Sequence, residues 1–497
     1  MSRSIFGMLS RRFGREQIEI SRREVLRTTL LAASAGLLAG CATGGEGPRT
    51  QAGAGKRVII VGAGLAGLAC GCELGGMGYW VNVFEARGRV GGRVLTLEDF
   101  VPGKTVEAGG EFISAAHPTW AAYRDRFKLQ FVDAAEKDNL PRPLMIDGKR
   151  LDENDARAVW DQMRQLYGEL AKEAAGIDVD EPWNAPDAEK MDRRSAADWI
   201  AASSASAACK RMMTADLEAR HSVPASRQSY LALLAQVKAG GGENYWAATD
   251  AYRCKGGSRE LAMRLGREIG IGRIKLRAPV VAVQARPNVV LISTADGKAY
   301  EAEDVVLATP PGAWAKMQIY PGLPDVTYQV GPAVKYLSAV KGPFWKSAGV
   351  SAWSESTGDV GRTWDATAGQ GEGAAGFTAY SAGPAAQAVR SYRLSDRERM
   401  CMEAIERMYP GFERQLARAQ FMDWAADPWT LGGSSFPSPG RLTRFGPVEQ
   451  KLQGRIHLAG EHMCAKYAGT MEGALHSGVL LARRMAARDG AATASVL

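Results

Sequence analysis

The densest chemistry in the chain lies between Lys56 and Arg93. Lys56-Arg57-Val58-Ile59-Ile60-Val61 is a β-branched run that leads straight into Gly62-Ala63-Gly64-Leu65-Ala66-Gly67. A helical stretch, Leu68 to Gly76, and a second apolar run, Trp80 to Phe84, follow, and Glu85 closes them. A GxGxxG turn between strand and helix, with a carboxylate 18 residues beyond its last glycine, predicts a dinucleotide site. Gly62 allows the tight turn, Gly64 lets the backbone approach a pyrophosphate, and Gly67 permits close packing of helix on strand. The helix N-terminus, at Leu65 and Ala66, offers free N–H groups and a positive dipole to phosphate, and Glu85 accepts from ribose hydroxyls. The continuation Glu85-Ala86-Arg87-Gly88-Arg89-Val90-Gly91-Gly92-Arg93 adds a second glycine loop rich in arginine. Folded back over the pyrophosphate, with Arg87 and Arg93 as charge-assisted donors, it predicts tightly held FAD rather than an exchanging nicotinamide.

Two further places carry chemistry. Lys335 stands alone in the apolar run Pro332 to Val340, ahead of Gly342-Pro343-Phe344-Trp345, and a cation there is costly unless satisfied. Met471-Glu472-Gly473-Ala474 reads as the first turn of a helix whose apolar face is Leu475, Val479, Ala482 and Met485. Its N-terminus would stabilise negative charge on a flavin ring. Metal chemistry is not expected: six Cys follow Cys41 without CxxC or zinc spacing, and the chain has five His.

The elements that must hold these residues have ample chain. With 497 residues, 46% hydrophobic and 23% charged, the composition excludes a disordered, collagen-like or disulfide-scaffold protein. We expect an α/β fold: a Rossmann-like FAD-binding domain with a second domain of mixed sheet and helices for the substrate. The FAD-binding domain is predicted to be discontinuous, over 56–135, 252–312 and 421–490, and the substrate domain over 136–251 and 313–420. In the latter, Val159, Trp160, Met163, Leu166, Tyr167 and Leu170 have helical spacing, and Val334–Val340 and Gly376–Tyr380 read as strands. A further helix is expected from Ser395, with Glu398 completing a capping box and Met400, Ala404, Ile405 and Met408 inward.

The N-terminal segment reads as an address. Arg22-Arg23 precede an uncharged apolar run, Thr28 to Gly40, too short to span a bilayer. The pattern is that of a twin-arginine export signal over residues 1–41. Leu38-Ala39-Gly40-Cys41 resembles a lipobox, so a lipid on Cys41 is the expected membrane contact, with 42–55 a Gly-rich linker. Residues 1–40 hold seven Arg against three Glu, half of the net charge of +8. The remainder has no basic stripe with interleaved aromatics, so no nucleic-acid partner is implied.

EARxRVGGR after GAGLAGL resembles the flavin-containing amine oxidase family, which spans monoamine, polyamine and L-amino-acid oxidases and bacterial nicotine-type enzymes. The resemblance continues in family order through Glu107-Ala108-Gly109-Gly110-Glu111-Phe112, Arg253 to Leu261, Ala278 to Val283, Val305 to Pro311, and residues 454–478. It implies FAD contacts at Gly62, Gly64, Leu65, Ala66, Gly67, Glu85, Ala86, Arg87, Gly91, Gly92, Arg93, Gly109, Gly110, Glu111, Val280, Trp424, Gly460, Glu461, Thr470 and Met471. Lys335 matches the family lysine that holds a water at flavin N5, and is the expected catalytic residue. The two aromatic residues that flank the family's substrate fall here at Gly433 or Ser434 and at Thr470; Trp429, Phe436 and Tyr467 are nearby candidates to replace them. The family's attachment cysteine is replaced by Gly432 or Gly433, so FAD should be non-covalent.

The implied reaction is hydride removal from the carbon next to an amine nitrogen, followed by imine hydrolysis. The substrate class ranges from amines, including alkaloid types such as pseudooxynicotine, to L-amino acids, for which Arg362 is a candidate carboxylate partner. A non-catalytic flavin redox carrier is the remote alternative. Export would place a periplasmic cytochrome or a quinone beside oxygen as candidate electron acceptors.

Overall fold

A computed structural model of the chain describes residues 55–134, 140–323, 327–449 and 454–491. The export segment, Cys41 and the linker through residue 54 lie outside these residues.

The sheet that carries the glycine motif is parallel throughout, in the order Ile456–Leu458, Asp304–Leu307, Arg57–Val61, Trp80–Phe84, Ile274–Lys275. Its central strand is buried on both faces, which is why it reads as an unbroken apolar run. Val58 and Ile60 pack under the helices Leu65–Gly76, Arg259–Ile269 and Met471–Arg488. Ile59 and Val61 face the other way, against Val283, Val290 and Ile292 of a four-stranded sheet. That sheet runs Ala299–Ala302, Val290–Thr294, Val280–Ala285, Gln318–Tyr320. Gln318–Tyr320 therefore pairs with the dinucleotide side, beyond the boundary at 312 that the sequence suggests.

The second large sheet has seven strands, in the order Leu416–Asp423, Ala333–Val340, Ala375–Ala382, Arg362–Asp365, Ser354–Ser356, Leu144–Ile146, Lys149–Arg150. Its two faces separate by residue parity. Val334, Tyr336 and Val340, with Phe377 and Ala379, pack on Cys401, Ile405 and Met408 of the helix Leu394–Met408. The opposite face carries a polar row in register, Lys335–Tyr380–Arg362–Glu355. Above it lie the helices Glu153–Ala174, Ala207–His221 and Tyr230–Ala239, whose apolar stripes form one core. Val159, Trp160, Met163, Leu166, Tyr167 and Leu170 are all buried there.

The expected capping box at Ser395 does not form. The helix starts one residue earlier, behind Arg393, without a side-chain cap, and its inward face uses Cys401 in place of Met400.

Candidate active site

A cavity of about 390 Å³ runs between the glycine turn and the polar row of the seven-stranded sheet. Every predicted site residue except Gly67 lines it. Gly67 acts in packing: a Cβ there would stand 2.1 Å from the Gly62 carbonyl oxygen.

The dinucleotide end has the shape FAD requires. Gly62 has φ +105°, and a Cβ on it would meet the Ala308 carbonyl oxygen at 2.9 Å. Gly64 precedes the helix Leu65–Gly76, and a Cβ there would meet nothing within 4 Å, so the backbone borders open space where a pyrophosphate fits. Gly92 closes over it, its would-be Cβ 3.2 Å from Gly64 Cα. Glu85 is buried and accepts from Ala63 N and Arg87 N, both at 2.8 Å, which leaves further lone pairs for ribose hydroxyls.

The three arginines of the second loop divide the labour differently from the sequence reading. Arg89 is the staple, donating to the carbonyls of Val90, Gly92 and Val94. Arg87 is committed to Asp427 and to Thr430 Oγ1. Arg93 donates to Gly433 O at 2.9 Å and Glu461 Oε1 at 2.7 Å. Burial pushes the Glu461 carboxyl up, but Arg93 and its other partners outweigh this and hold it below its usual range. Ser435 Oγ and Gly469 N complete its shell.

The ring end is organised around residues 107–111. Lys335 donates from Nζ to Glu107 O, Gly109 O and Glu111 Oε2, each at 2.9 Å. All three ammonium protons thus have protein acceptors, so a water-holding role would require giving one of them up. Glu111 also accepts from Arg253 Nε at 2.8 Å and Trp364 Nε1 at 3.0 Å. Trp424 Nε1 donates to Ala108 O, and Met471 lies against Gly110. Burial raises the Glu107 carboxyl to about 7.

The two positions at which the family carries its aromatic pair have other work here. A Cβ on Gly433 would stand 2.4 Å from Ala333 Cβ, so no side chain fits. Thr470 is the N-cap of Met471–Arg488, with Oγ1 accepting from Gly473 N at 3.0 Å. Ser434 Oγ donates to Ser222 Oγ at 2.8 Å.

The suggested replacements do not take the place of that pair. Trp429 borders the cavity beside Lys316 and Thr430, at the dinucleotide end. Phe436 stacks on His221 at 3.9 Å, and Tyr467 lies against His117. The aromatic wall comes instead from Phe112, Trp353, Trp364 and Tyr380, with ring centroids 5.3–5.9 Å apart. Arg362 lines the cavity but is bound to Glu355 Oε2 at 3.0 Å and Asp216 Oδ1 at 2.5 Å. Beside it stands Arg220, which the sequence reading did not single out; only register and helix packing bring it there.

No cysteine lines the cavity, so a thioether to the flavin has no donor among the described residues.

Comparison with known proteins agrees with this geometry. The family model described as flavin containing amine oxidoreductase matches residues 65–486. An L-amino acid dehydrogenase of Synechocystis is 27% identical over 483 residues, covering 86% of this chain and 93% of that protein. The human flavin-containing amine oxidase B is 27% identical, covering 86% and 85%. Among solved structures, a putrescine oxidase bound to putrescine superimposes with a TM-score of 0.78 at 24% identity, covering 87% of this chain and 99% of that one. Cyclohexylamine oxidase of Brevibacterium oxydans gives 0.75 at 22% identity, covering 87% and 99%. The glycine cradle, the arginine-stapled loop and the family match place this chain in the flavin-containing amine oxidoreductase family, with FAD held non-covalently as its cofactor.

Proposed function

We propose that the protein is an exported FAD enzyme that oxidises a primary or secondary amine at the carbon bearing the nitrogen. Bound FAD supplies the hydride acceptor, and the imine product hydrolyses to a carbonyl compound. The chain's residues bind, orient and exclude water. One observation carries this reading: a single cavity joins the cradle at Gly64 to an aromatic wall at Phe112, Trp353, Trp364 and Tyr380. Aromatic faces favour an amine nitrogen and keep the reacting carbon dry. Lys335 and Arg253 grip the turn 107–111 between the two. Anaerobic addition of amines and L-amino acids should bleach the flavin absorbance. A flavin that stays oxidised with all of them would overturn the assignment.

Export by the twin-arginine route is the second part of the proposal, supported by Arg22-Arg23 and the apolar run after them. Replacing both arginines with Lys should leave FAD-loaded protein in the cytoplasm. Unchanged export would remove that part alone.

A further inference from the structure

A surface away from the cavity carries the chain's unbalanced charge. The helix Arg259–Ile269 and the edge strand Ile274–Lys275 form one flank of the parallel sheet. Between Met263 and Arg277 this flank holds Arg264, Arg267, Arg273, Lys275 and Arg277 against a single acid, Glu268. That net of +4, with the +4 of residues 1–40, accounts for the whole formal charge of +8, so the rest of the chain is balanced. Glu268 is taken by Arg126 at 2.9 Å, and none of the five cations forms an ion pair among the described residues.

Apolar side chains stand exposed among these cations. Trp80 is 52% exposed and Ile271 75%. Val83 pairs with Ile274, so three residues back on each chain Trp80 and Ile271 lie at the same end of the sheet. The Arg273 guanidinium is 4.2 Å from the Trp80 ring. Met263 and Leu276 extend the apolar surface along the flank. One exposed apolar residue is ordinary. A tryptophan and an isoleucine set among arginines without carboxylate partners match the chemistry of an anionic headgroup layer.

The covalent path leads to the same place. Gly55 N donates to Gly78 O and Trp80 N donates to Lys56 O, so the chain enters the sheet beside Trp80. Cys41 lies fourteen residues before Gly55, a span of at most about 50 Å in any chain conformation. With the address held at a membrane, Trp80 is confined near that same surface, which raises the effective concentration of a weak contact.

We propose, resting on the export reading, that this flank docks on an anionic phospholipid bilayer, with Trp80 and Ile271 in the headgroup layer. Arg267 and Arg273 then pair with lipid phosphates. None of these residues lines the cavity, so docking orients the protein and leaves the site uncovered.

The test uses full-length FAD-loaded protein in a Cys41→Ser background, whose six described cysteines are buried. A fluorophore is placed at Ile271→Cys or, as control, at Leu394→Cys, an exposed position on the helix Leu394–Met408. Nitroxide-labelled lipid in phosphatidylethanolamine vesicles containing phosphatidylglycerol should quench position 271 at least threefold more than position 394. Vesicles without phosphatidylglycerol should lose that difference. Arg267→Glu with Arg273→Glu should lose it too, with FAD content and flavin bleaching unchanged.

Equal quenching at the two positions on anionic vesicles would overturn the proposal. So would quenching at 271 that ignores both lipid charge and the two arginines. A flank that stays unquenched yet binds polyglutamate through Arg267 and Arg273 would overturn it in favour of an acidic protein. Docking by a protein that cells retain in the cytoplasm would keep the face and discard the export reading. Export without quenching at 271 would do the reverse.

Discussion

Lys335 shows how far a residue's type predicts its work. A lone lysine in an apolar strand had to be satisfied, and the structure satisfies it three times over, with Glu107 O, Gly109 O and the Glu111 carboxylate. A lysine that only holds water at the flavin predicts a Lys335→Met variant with full FAD content and slow reoxidation. The geometry instead makes the lysine a clamp on 107–111, so we expect Lys335→Met to bind FAD less tightly and to slow both half-reactions. Rapid-mixing kinetics with a flavin count on one preparation separates the two outcomes. Glu85 is a second case. It holds the amides of Ala63 and Arg87, and its remaining lone pairs are the ones a ribose hydroxyl would use. Glu85→Ala should weaken FAD binding by about 2–3 kcal/mol, as expected for charge-assisted bonds. Equilibrium dialysis showing unchanged affinity would refute that role. Both residues were legible because each stands in a local pattern that demands an explanation. Arg220 was not, since nothing in its own segment marks it out; tertiary packing alone brings it to the cavity beside Asp216.

At the scale of elements, legibility follows sequence distance. The Arg57–Val61 strand, the glycine turn and the helix after it are contiguous, and their hydrophobic pattern and turn chemistry sufficed to read them. The polar row Lys335–Tyr380–Arg362–Glu355 draws on four strands, and only the register of the folded sheet aligns it. The same holds for the aromatic wall, whose members come from segments as far apart as Phe112 and Tyr380. Thr470 shows a role that only local geometry reveals: the residue at the family's second aromatic position caps the helix Met471–Arg488. Thr470→Ala should therefore cost about 1 kcal/mol of stability. Because that helix end borders the cavity, FAD should bind less tightly as well. Thermal unfolding of holoprotein, with and without added FAD, measures both. A variant with wild-type melting temperature and affinity would contradict the cap's importance.

The whole molecule buries ionisable groups in quantity, and this sets its pH response. Burial lowers four histidines: His117 and His476 to about 3, His221 and His462 to about 4. Each is neutral when folded and binds a proton near 6.5 when unfolded, so its contribution is present above about 6.5 and lost as pH falls toward 4. Glu107 and Glu355, raised to about 7, act oppositely: their contribution is lost as pH rises from about 4.5 to 7. Burial also raises Glu73, Glu218 and Glu472. The four histidines outnumber the two carboxyls raised to about 7, and the balance of these six groups is a loss of stability on acidification from pH 6.5 to 5. At full imbalance each unmatched proton is worth about 1.4 kcal/mol per pH unit. Denaturant midpoints at the two pH values check the sign, and a higher midpoint at pH 5 would contradict it.

These scales meet in the cavity that joins the FAD cradle to the aromatic wall. The most direct test is anaerobic titration of the purified holoprotein with matched nitrogen and oxygen donors, each amine or amino acid beside the alcohol or hydroxy acid of the same skeleton. The account predicts that the flavin bleaches with the nitrogen compound of at least one pair, yields one carbonyl product per flavin, and stays oxidised with the oxygen partner. Bleaching by the alcohol or hydroxy acid but by none of the nitrogen compounds would contradict it.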